Sequence, residues 1–467
     1  MSHLAKQSFT KSMESRHLIT LSLGGVIGTG IFMSSGYLIQ SAGAVGTIIA
    51  YGIGALLVCL VMLCLGELTV HDPNTGAFHR YASKYISPGV GFVTAWLYWL
   101  TWTIALGSEF VTLAILAQKW FPTIPTWAWT IGFTILIFAI NSFNLTFFNR
   151  TEFWMSIIKV FALIAFIVLG LGMIFKIIPV HHANFAPFFK EIIKPGWFPN
   201  GFGPIFSVIL AANFAFSGTE MISVAAGETD NPKKAIPKAI FQTLVILIVL
   251  FIGTIVIMGA LLPQKSAALT DSPFIAVLNN CGIPYASDIM NFILFITVLS
   301  AANSGVYAAS RMIWSLADQN TLPKRLAKLS KNGIPVYGLA LTILGGLLAL
   351  FSSVYSPKLV YLALSAISSF AVVMVWLIIG WAQLNFRKQF LKSGHQLSEL
   401  SYRTPAYPLV PWLVIIICAI SLVGIASDPN QRIALEVGIP FSILCYAYYQ
   451  LVYRKKVQTV NGGNDNE

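Results

Sequence analysis

Charge is scarce in this sequence. Of its 467 residues only 10% are Asp, Glu, Lys or Arg, where a soluble globular chain carries about 25%. Acidic residues are the thinner half, 17 against 29 basic ones, for a net charge of +12. Cysteine is sparse too. Cys59, Cys64, Cys281, Cys418 and Cys445 form no Cys-x-x-Cys pair, and four of them sit in apolar helix. That argues against a disulfide framework and against a metal site, and leaves them as small apolar filler. Histidine is scarce and lies mostly in loops and tails. P-loop, zinc and Gly-x-Ser-x-Gly signatures are missing, so nothing in the sequence marks an enzyme or calls for a cofactor. Without a nucleotide site, any transport must run downhill or on an ion gradient. No linker interrupts the chain until its last residues.

What is present is apolar: 56% of the residues are hydrophobic and the mean hydropathy is +0.76. Twelve spans are expected, at 18–40, 44–69, 89–117, 126–144, 152–178, 203–227, 236–262, 287–316, 335–354, 358–384, 409–427 and 432–453. Each is near or above the ~20 residues a tilted membrane helix needs. Lys and Arg placement orients them. With the N-terminus inside, the inner loops and tails hold 20 basic residues and the outer loops 7. Both termini are then cytoplasmic, in a multi-pass protein of the inner (plasma) membrane. The basic loops face anionic lipid, so nucleic-acid binding is not needed to explain the charge. The first span is too long for a signal-peptide core and further spans follow at once, so it reads as uncleaved.

Two stretches break the pattern. Span 1 contains Gly24-Gly25-Val26-Ile27-Gly28-Thr29-Gly30-Ile31-Phe32, and span 6 contains Phe214-Ala215-Phe216-Ser217-Gly218-Thr219-Glu220. Backbone that leaves the helix inside a bilayer is tolerated only where it is buried in protein or lines a cavity. Matching interruptions in two halves point to a transporter binding site. Spans 1–5 and 6–10 are about equally long, and an odd number of spans makes the second set enter the membrane from the opposite side. The expected organisation is an N-terminal tail (1–17), a first repeat (18–178), an outer loop (179–202), an inverted second repeat (203–384), spans 11 and 12 with their preceding loop (385–453) and a C-terminal tail (454–467). Spans 11 and 12 suit oligomer or lipid contact, in a monomer or a homodimer.

Each break carries chemistry. Unwinding around Ile27, Gly28, Thr29 and Gly30 frees backbone N–H groups and presents the positive end of a half-helix, which favours a carboxylate; glycine-mediated helix packing is the competing account. Freed carbonyls at Phe216, Ser217, Gly218 and Thr219 suit an ammonium group. Together the two breaks match a zwitterion, and Phe214 and Phe216 are placed to close over it. Ionisable residues inside spans are functional candidates by default. Lys159 is either a snorkelling residue or a buried amine able to load a proton. Glu109 and Glu220 are candidate proton carriers, partners for a substrate amine, or structural acceptors. Glu67 is expected to anchor at the interface, and Arg311 to snorkel or to pair with a loop acid. Asn303 sits in a small polar patch, 300–305, that lines the cavity or packs against a neighbouring helix. The loop after span 2 (71–81) is amphipathic and is expected along the membrane interface. The loop after span 6, with Glu228, Asp230, Lys233 and Lys234, is a solvated loop or a gate latch.

These motifs resemble the amino acid transporter family of the amino acid–polyamine–organocation superfamily, with the arginine/ornithine-type bacterial permeases the nearest in look. The resemblance runs from Arg16-His17-Leu18 to Tyr446-Ala447-Tyr448-Tyr449. It includes Leu65-Gly66-Glu67-Leu68, Trp96-Leu97-Tyr98-Trp99, Glu152-Phe153-Trp154 with Lys159, Ser217-Gly218-Thr219-Glu220, Ala226-Gly227-Glu228 and Arg403-Thr404-Pro405. It implies an all-α fold of 12 transmembrane helices, with a 5+5 inverted repeat, broken helices 1 and 6, and two extra helices. It also implies proton-coupled import of an L-amino acid by alternating access. Gly28, Thr29 and Gly30 would take the carboxylate, and the carbonyls around Phe216, Ser217 and Gly218 the amine. Lys159 would occupy the cation-site region of proton-coupled relatives. Glu109 and Glu220 are acidic positions shared with family members. A basic substrate (arginine, ornithine or lysine) is the expectation. Small neutral amino acids, proline or GABA, ion-independent exchange and an amino acid-sensing receptor are the alternatives. Ser217 stands where many relatives have Gln, which enlarges the pocket.

Overall fold

The computed structural model describes residues 11–143, 145–178, 188–264, 272–279, 284–427 and 431–454. Cys281, Lys6, Lys265, Lys455, Lys456 and the tail from Asn461 to Glu467 lie outside these residues. The described chain is all helical. Its one extended pairing is an isolated parallel bridge between Met13 and Thr229.

Twelve spans are present among the described residues. Span 1 is Ser15–Val26, then Thr29–Phe32 beyond a break, then a short continuation from Ser34. Gly43, at φ 73° and ψ 171°, turns the chain into span 2, which ends at His71. Such a φ suits glycine, and a Cβ there would lie 2.9 Å from Pro199 Cγ. Spans 3, 4 and 5 are Pro88–Gln118, Thr126–Ser142 and Leu145–Ile174. Span 6 is Gly203–Ala215 and, past its own break, Met221–Val224 with a 3-10 turn Ala225–Glu228. Spans 7 and 8 are Pro232–Leu261 and Ala286–Asp318. Span 9 is Val336–Ile343 tightening into 3-10 helix over Leu344–Ser353. Spans 10, 11 and 12 are Pro357–Lys392, Leu409–Gly424 and Ile433–Tyr448, the last extended to Tyr453. Spans 3, 7 and 10 open on Pro88, Pro232 and Pro357, where the missing N–H of proline costs nothing.

Span 3 is almost wholly enclosed, while span 12 is almost wholly exposed. Large apolar side chains such as Phe161, Phe241 and Ile443 point outward. An outward apolar surface of this extent fits lipid rather than water. The chain is therefore an all-α polytopic membrane protein.

Four local expectations are corrected. Span 5 begins at Leu145 rather than at 152, so Glu152 lies two turns inside the helix instead of marking its end. Span 10 continues to Lys392 rather than stopping near 384, which carries Arg387 into a helix. Glu67 is fully buried and is gripped by Arg387, with Nε 2.7 Å from Oε1 and Nη2 on Oε2. The Thr404 N–H adds a third bond at 2.5 Å, so Glu67 locks spans 2 and 10 to the 393–408 connection instead of anchoring at the interface. The segment after span 2 does form an amphipathic helix, Ala77–Tyr85, but Phe78, His79, Tyr81 and Ala82 are buried in protein. His79 Nε2 lies 2.7 Å from Ser315 Oγ, and Arg80 donates to Asp318 Oδ2 at 2.7 Å.

Candidate functional site

The two breaks meet in the centre of the bundle. Gly218 has φ 113°, and a Cβ on it would lie 2.9 Å from both Gly25 C and Val26 N. A Cβ on Gly30 would lie 2.7 Å from Ala215 Cα. Backbone therefore runs against backbone at two points, with the Ser22 hydroxyl donating to the Gly218 carbonyl at 3.4 Å. Gly30→Ala is expected to force spans 1 and 6 apart. Overpacking of this kind costs about 1–3 kcal/mol. Thermal unfolding in detergent should show the lower midpoint, and uptake by the reconstituted protein should fall with it.

Around the first break, Thr29 Oγ1 donates to Glu109 Oε1 at 3.0 Å, while Glu109 Oε2 has no partner among the described residues. A Cβ on Gly28 would touch Ala301 and Glu109. The Thr29 carbonyl accepts from Tyr361 Oη at 3.2 Å, and the same hydroxyl lies 2.8 Å from Ser34 Oγ. Around the second break, Phe216 is fully buried, its ring 5.2 Å from Phe251 and 6.0 Å from Tyr51. Phe214 is buried as well. Ser217 Oγ is buried without a hydrogen-bond partner among the described residues. The Thr219 hydroxyl donates to the Phe216 carbonyl at 3.3 Å.

Lys159 does not snorkel: it is fully buried. The first half of span 1 stops at Val26, which leaves its last carbonyls without intrahelical donors. Lys159 Nζ donates to one of them, Gly24 O, at 2.5 Å. A cation thus caps the negative end of a half-helix. Three residues back, Ser156 Oγ donates to Thr20 O at 2.8 Å. Glu152, Ser156 and Lys159 form one buried stripe along span 5, at the i, i+4, i+7 spacing of a single helix face.

Glu152 closes this cluster. Ser300 Oγ donates to its Oε1 and Asn303 Nδ2 to its Oε2 at 3.0 Å. Asn303 is fixed in turn by Asn141, whose Nδ2 reaches Asn303 Oδ1 at 2.7 Å and Ile137 O at 3.0 Å. Asn303 therefore has both ends of its amide engaged in the Glu152 network. Glu152 lies against Gly24, the residue whose carbonyl Lys159 caps. Glu220 stands apart from them. Its oxygens accept from the Gly218 N–H at 3.1 and 3.2 Å and from Trp376 Nε1 at 3.3 Å, so it caps the second break.

Side-chain contacts tie the chain at both faces of the bundle. On the face bearing the N-terminal residues, Glu228 is buried. It binds Arg311 Nε at 2.6 Å and Tyr307 Oη at 3.0 Å. Its backbone carbonyl accepts from the Ser12 and Met13 N–H groups at 3.0 and 2.9 Å. The loop after span 6 is therefore tied down at Glu228 rather than solvated throughout, while Asp230 and Asn231 stay exposed. Arg311 pairs with this loop acid. On the opposite face, Ser272 Oγ holds the Phe32 carbonyl at 3.0 Å. Phe274 packs on Phe32 and Phe166 at 4.5 and 4.4 Å between ring centres.

Sequence reasoning missed Glu152, Asn141 and Tyr361 as site residues. The signal for Glu152 was available, because it lies seven residues before Lys159. Asn141 and Tyr361 gave none, since each reaches the site only through tertiary packing.

Comparison with known proteins gives a consistent picture. The amino acid permease family model matches residues 17–461. A putative histidine permease of Bacillus subtilis (strain 168) is 46% identical, covering 95% of this chain and 94% of that protein. The amino-acid permease RocC of the same organism is 42% identical over 97% and 96%. The lysine-specific permease LysP of Lactococcus lactis subsp. cremoris is 33% identical over 96% and 91%. Among solved structures, the manganese transporter of Eremococcus coleocola shares the fold, with a TM-score of 0.58 at 13% identity over 96% of this chain and 97% of that one.

Proposed function

The chain belongs to the amino acid permease family, and from that premise we propose that it imports a basic L-amino acid together with a proton. The observation that carries this reading is the joining of two broken helices beside a buried lysine that caps one of them. The Gly28-Thr29-Gly30 segment receives the substrate carboxylate. The carbonyls around Phe216, Ser217 and Gly218 receive its amine, in exchange for the bonds that Phe216 O and Gly218 O accept from Thr219, Ser22 and Met221 in the closed centre. The oxygen of Glu109 and the hydroxyl of Ser217, both without a partner among the described residues, are polar atoms available to the substrate. Lys159 carries the coupling proton, Glu109 shares its field, and Glu220 holds the second break in shape.

Alternating access follows from the two closures. Spans 1–5 and 6–10 act as opposed halves. Breaking the Glu228–Arg311–Tyr307 latch opens the N-terminal face, and displacing Phe274 opens the other. The excess of Lys and Arg in the loops of the N-terminal face supports a cytoplasmic N-terminal face in a plasma-membrane protein. Its activity is that of a transporter rather than an enzyme. The exposed faces of spans 11 and 12 suit a monomer in lipid or a homodimer.

A basic substrate is supported by relatives named as histidine and lysine permeases. A γ-aminobutyric acid permease of Bacillus subtilis at 36% identity keeps that substrate as the second reading. Uptake into proteoliposomes under an inward proton gradient tests both. Unlabelled arginine, ornithine, lysine or histidine should compete with the labelled substrate, and alanine, proline and GABA should not. Competition by GABA alone would overturn the basic-substrate reading, and no accumulation of any of them would overturn import itself.

A further inference from the structure

We infer that Glu152 is the fixed counter-charge of the coupling site, a positioning residue that keeps the Lys159 ammonium in place on the Gly24 carbonyl. The inference rests on the reading of Lys159 as the proton carrier. It is carried by the direction of the Asn303 hydrogen bond to Glu152 and by the place of that carboxylate against Gly24.

That direction is set from a backbone carbonyl outward. Ile137 O can only accept, so the Asn141 side chain must present its nitrogen there. The second N–H of the same nitrogen points to Asn303 Oδ1. Asn303 must then turn its own nitrogen to Glu152 Oε2. On the other oxygen, the Ser300 hydroxyl is placed to donate. An ionised carboxylate is therefore met by a hydrogen bond on each of its oxygens.

Glu152 and Lys159 meet at one residue, Gly24. A Cβ on Gly24 would lie 1.8 Å from Glu152 Oε1 and 2.9 Å from Ser304 Oγ, while the carbonyl of the same residue accepts from Lys159 Nζ. Glycine at 24 is what lets carboxylate and ammonium share one peptide unit without a side chain between them. The charged groups around Lys159 are few. Span 3 carries Glu109 and span 5 itself Glu152, while span 8 presents the uncharged Ser300, Asn303 and Ser304. Span 7, packed on spans 1 and 5, has no charged residue from 239 to 261, and span 4 has none from 126 to 142. Glu109 has an unsatisfied oxygen and Glu152 has none. Glu109 is therefore the carboxylate free to change partners, and Glu152 is the one held in place. The division of labour is one mobile proton on Lys159, one adaptable acid at Glu109 and one positioned counter-charge at Glu152.

The test is Glu152→Gln in proteoliposomes, read as the pH profile of gradient-driven uptake with counterflow exchange measured beside it. Removing the fixed charge makes the ammonium harder to hold. The pH at which uptake falls to half should then move to lower pH by about one unit or more, with roughly tenfold less accumulation at neutral pH. Counterflow should persist. A double variant, Glu152→Gln with Asn303→Asp, returns the charge one hydrogen bond away and should move the midpoint back toward that of the unmodified protein. It also serves if the single variant assembles poorly. A merely structural Glu152 predicts otherwise: Gln should then leave the pH midpoint in place, and the swap should not matter. That result, with the unmodified protein still gradient-driven, overturns this inference alone. An unmodified protein whose accumulation ignores the gradient overturns the reading of Lys159, and this inference with it.

Discussion

Replacing Lys159 with alanine is expected to abolish concentrative uptake while leaving exchange intact. Each pH unit of gradient is worth about 1.4 kcal/mol per proton, or about tenfold in accumulation for one proton per substrate. Under a two-unit inward gradient the unmodified protein should therefore concentrate its substrate up to ~100-fold, and the variant should settle near the external concentration. The reason lies in what Lys159 touches. Its ammonium is bonded to Gly24 O, at the end of the half-helix that stops one residue before the first break. Protonated, it caps that end and holds spans 1 and 5 together. Deprotonated, it loses the charge that favours this position, and span 1 is free to shift against span 5. Alanine can do neither, so the conformational cycle no longer depends on a proton. Exchange needs only the substrate contacts at the breaks, which Lys159 does not make. Measuring efflux-driven counterflow beside gradient-driven uptake separates the outcomes. Loss of both would make Lys159 a structural residue and remove the coupling assignment.

The assignment also explains why two closures coexist with a shut centre. The Glu228 latch ties the Ser12–Met13 backbone to Arg311 and Tyr307, so the segment leading into span 1 is fastened at one face. Phe32, at the end of the second half-helix, is fastened at the other by Ser272 and Phe274. Span 1 is therefore held at both ends and interrupted in the middle. Movement at either face must pass through Gly24–Thr29, where Lys159, Glu152 and Glu109 sit. On the proposed reading, a proton on Lys159 and a substrate on the break would act on the same short stretch, which is what coupling requires.

The breaks themselves were legible in the sequence, because only glycine and small polar residues could explain such interruptions inside apolar spans. Their contact was not, since nothing local says that Gly218 should press on Gly25 and Val26. Lys159 stood out because an ionisable residue within a span is costly. Glu152 was misplaced for the same kind of reason. A hydropathy window ends a span where charge and polarity begin, yet Leu145, Thr146, Phe147 and Phe148 continue the helix toward its N-terminal end. Arg387 was lost from span 10 by the identical effect at its far end, where Asn385, Arg387 and Lys388 look like a loop. In both places helix geometry outran the apolar pattern, and the charge that seemed to mark a boundary was buried against a partner distant in sequence. Glu67 and Arg387 are separated by 320 residues, so no periodicity could have paired them.

That pair leads to the second large effect, this time on stability. Arg387→Ala is expected to destabilise the protein by about 3–5 kcal/mol, because it strands a fully buried carboxylate rather than merely deleting an attraction. Glu67 would keep the Thr404 N–H, but one neutral donor cannot replace a guanidinium engaged at both oxygens. The damage should be global. The pair joins spans 2 and 10, while the Arg387 guanidinium also reaches the Thr404 carbonyl at 3.4 Å and stands 5.1 Å from the Tyr407 ring, fixing the connection into span 11. Substituting both partners, Glu67→Leu with Arg387→Met, should recover most of the loss, since apolar residues of similar volume carry no desolvation cost. Thermal unfolding of the detergent-solubilised protein checks this, with the single variant unfolding well below the double variant. Equal midpoints for the two would mean that the attraction, and not the stranded charge, is what matters. The same variants separate stability from transport, because neither residue contacts the breaks. The double variant should keep its pH midpoint of uptake unchanged, in contrast to Glu152→Gln, whose fold should survive while its midpoint moves.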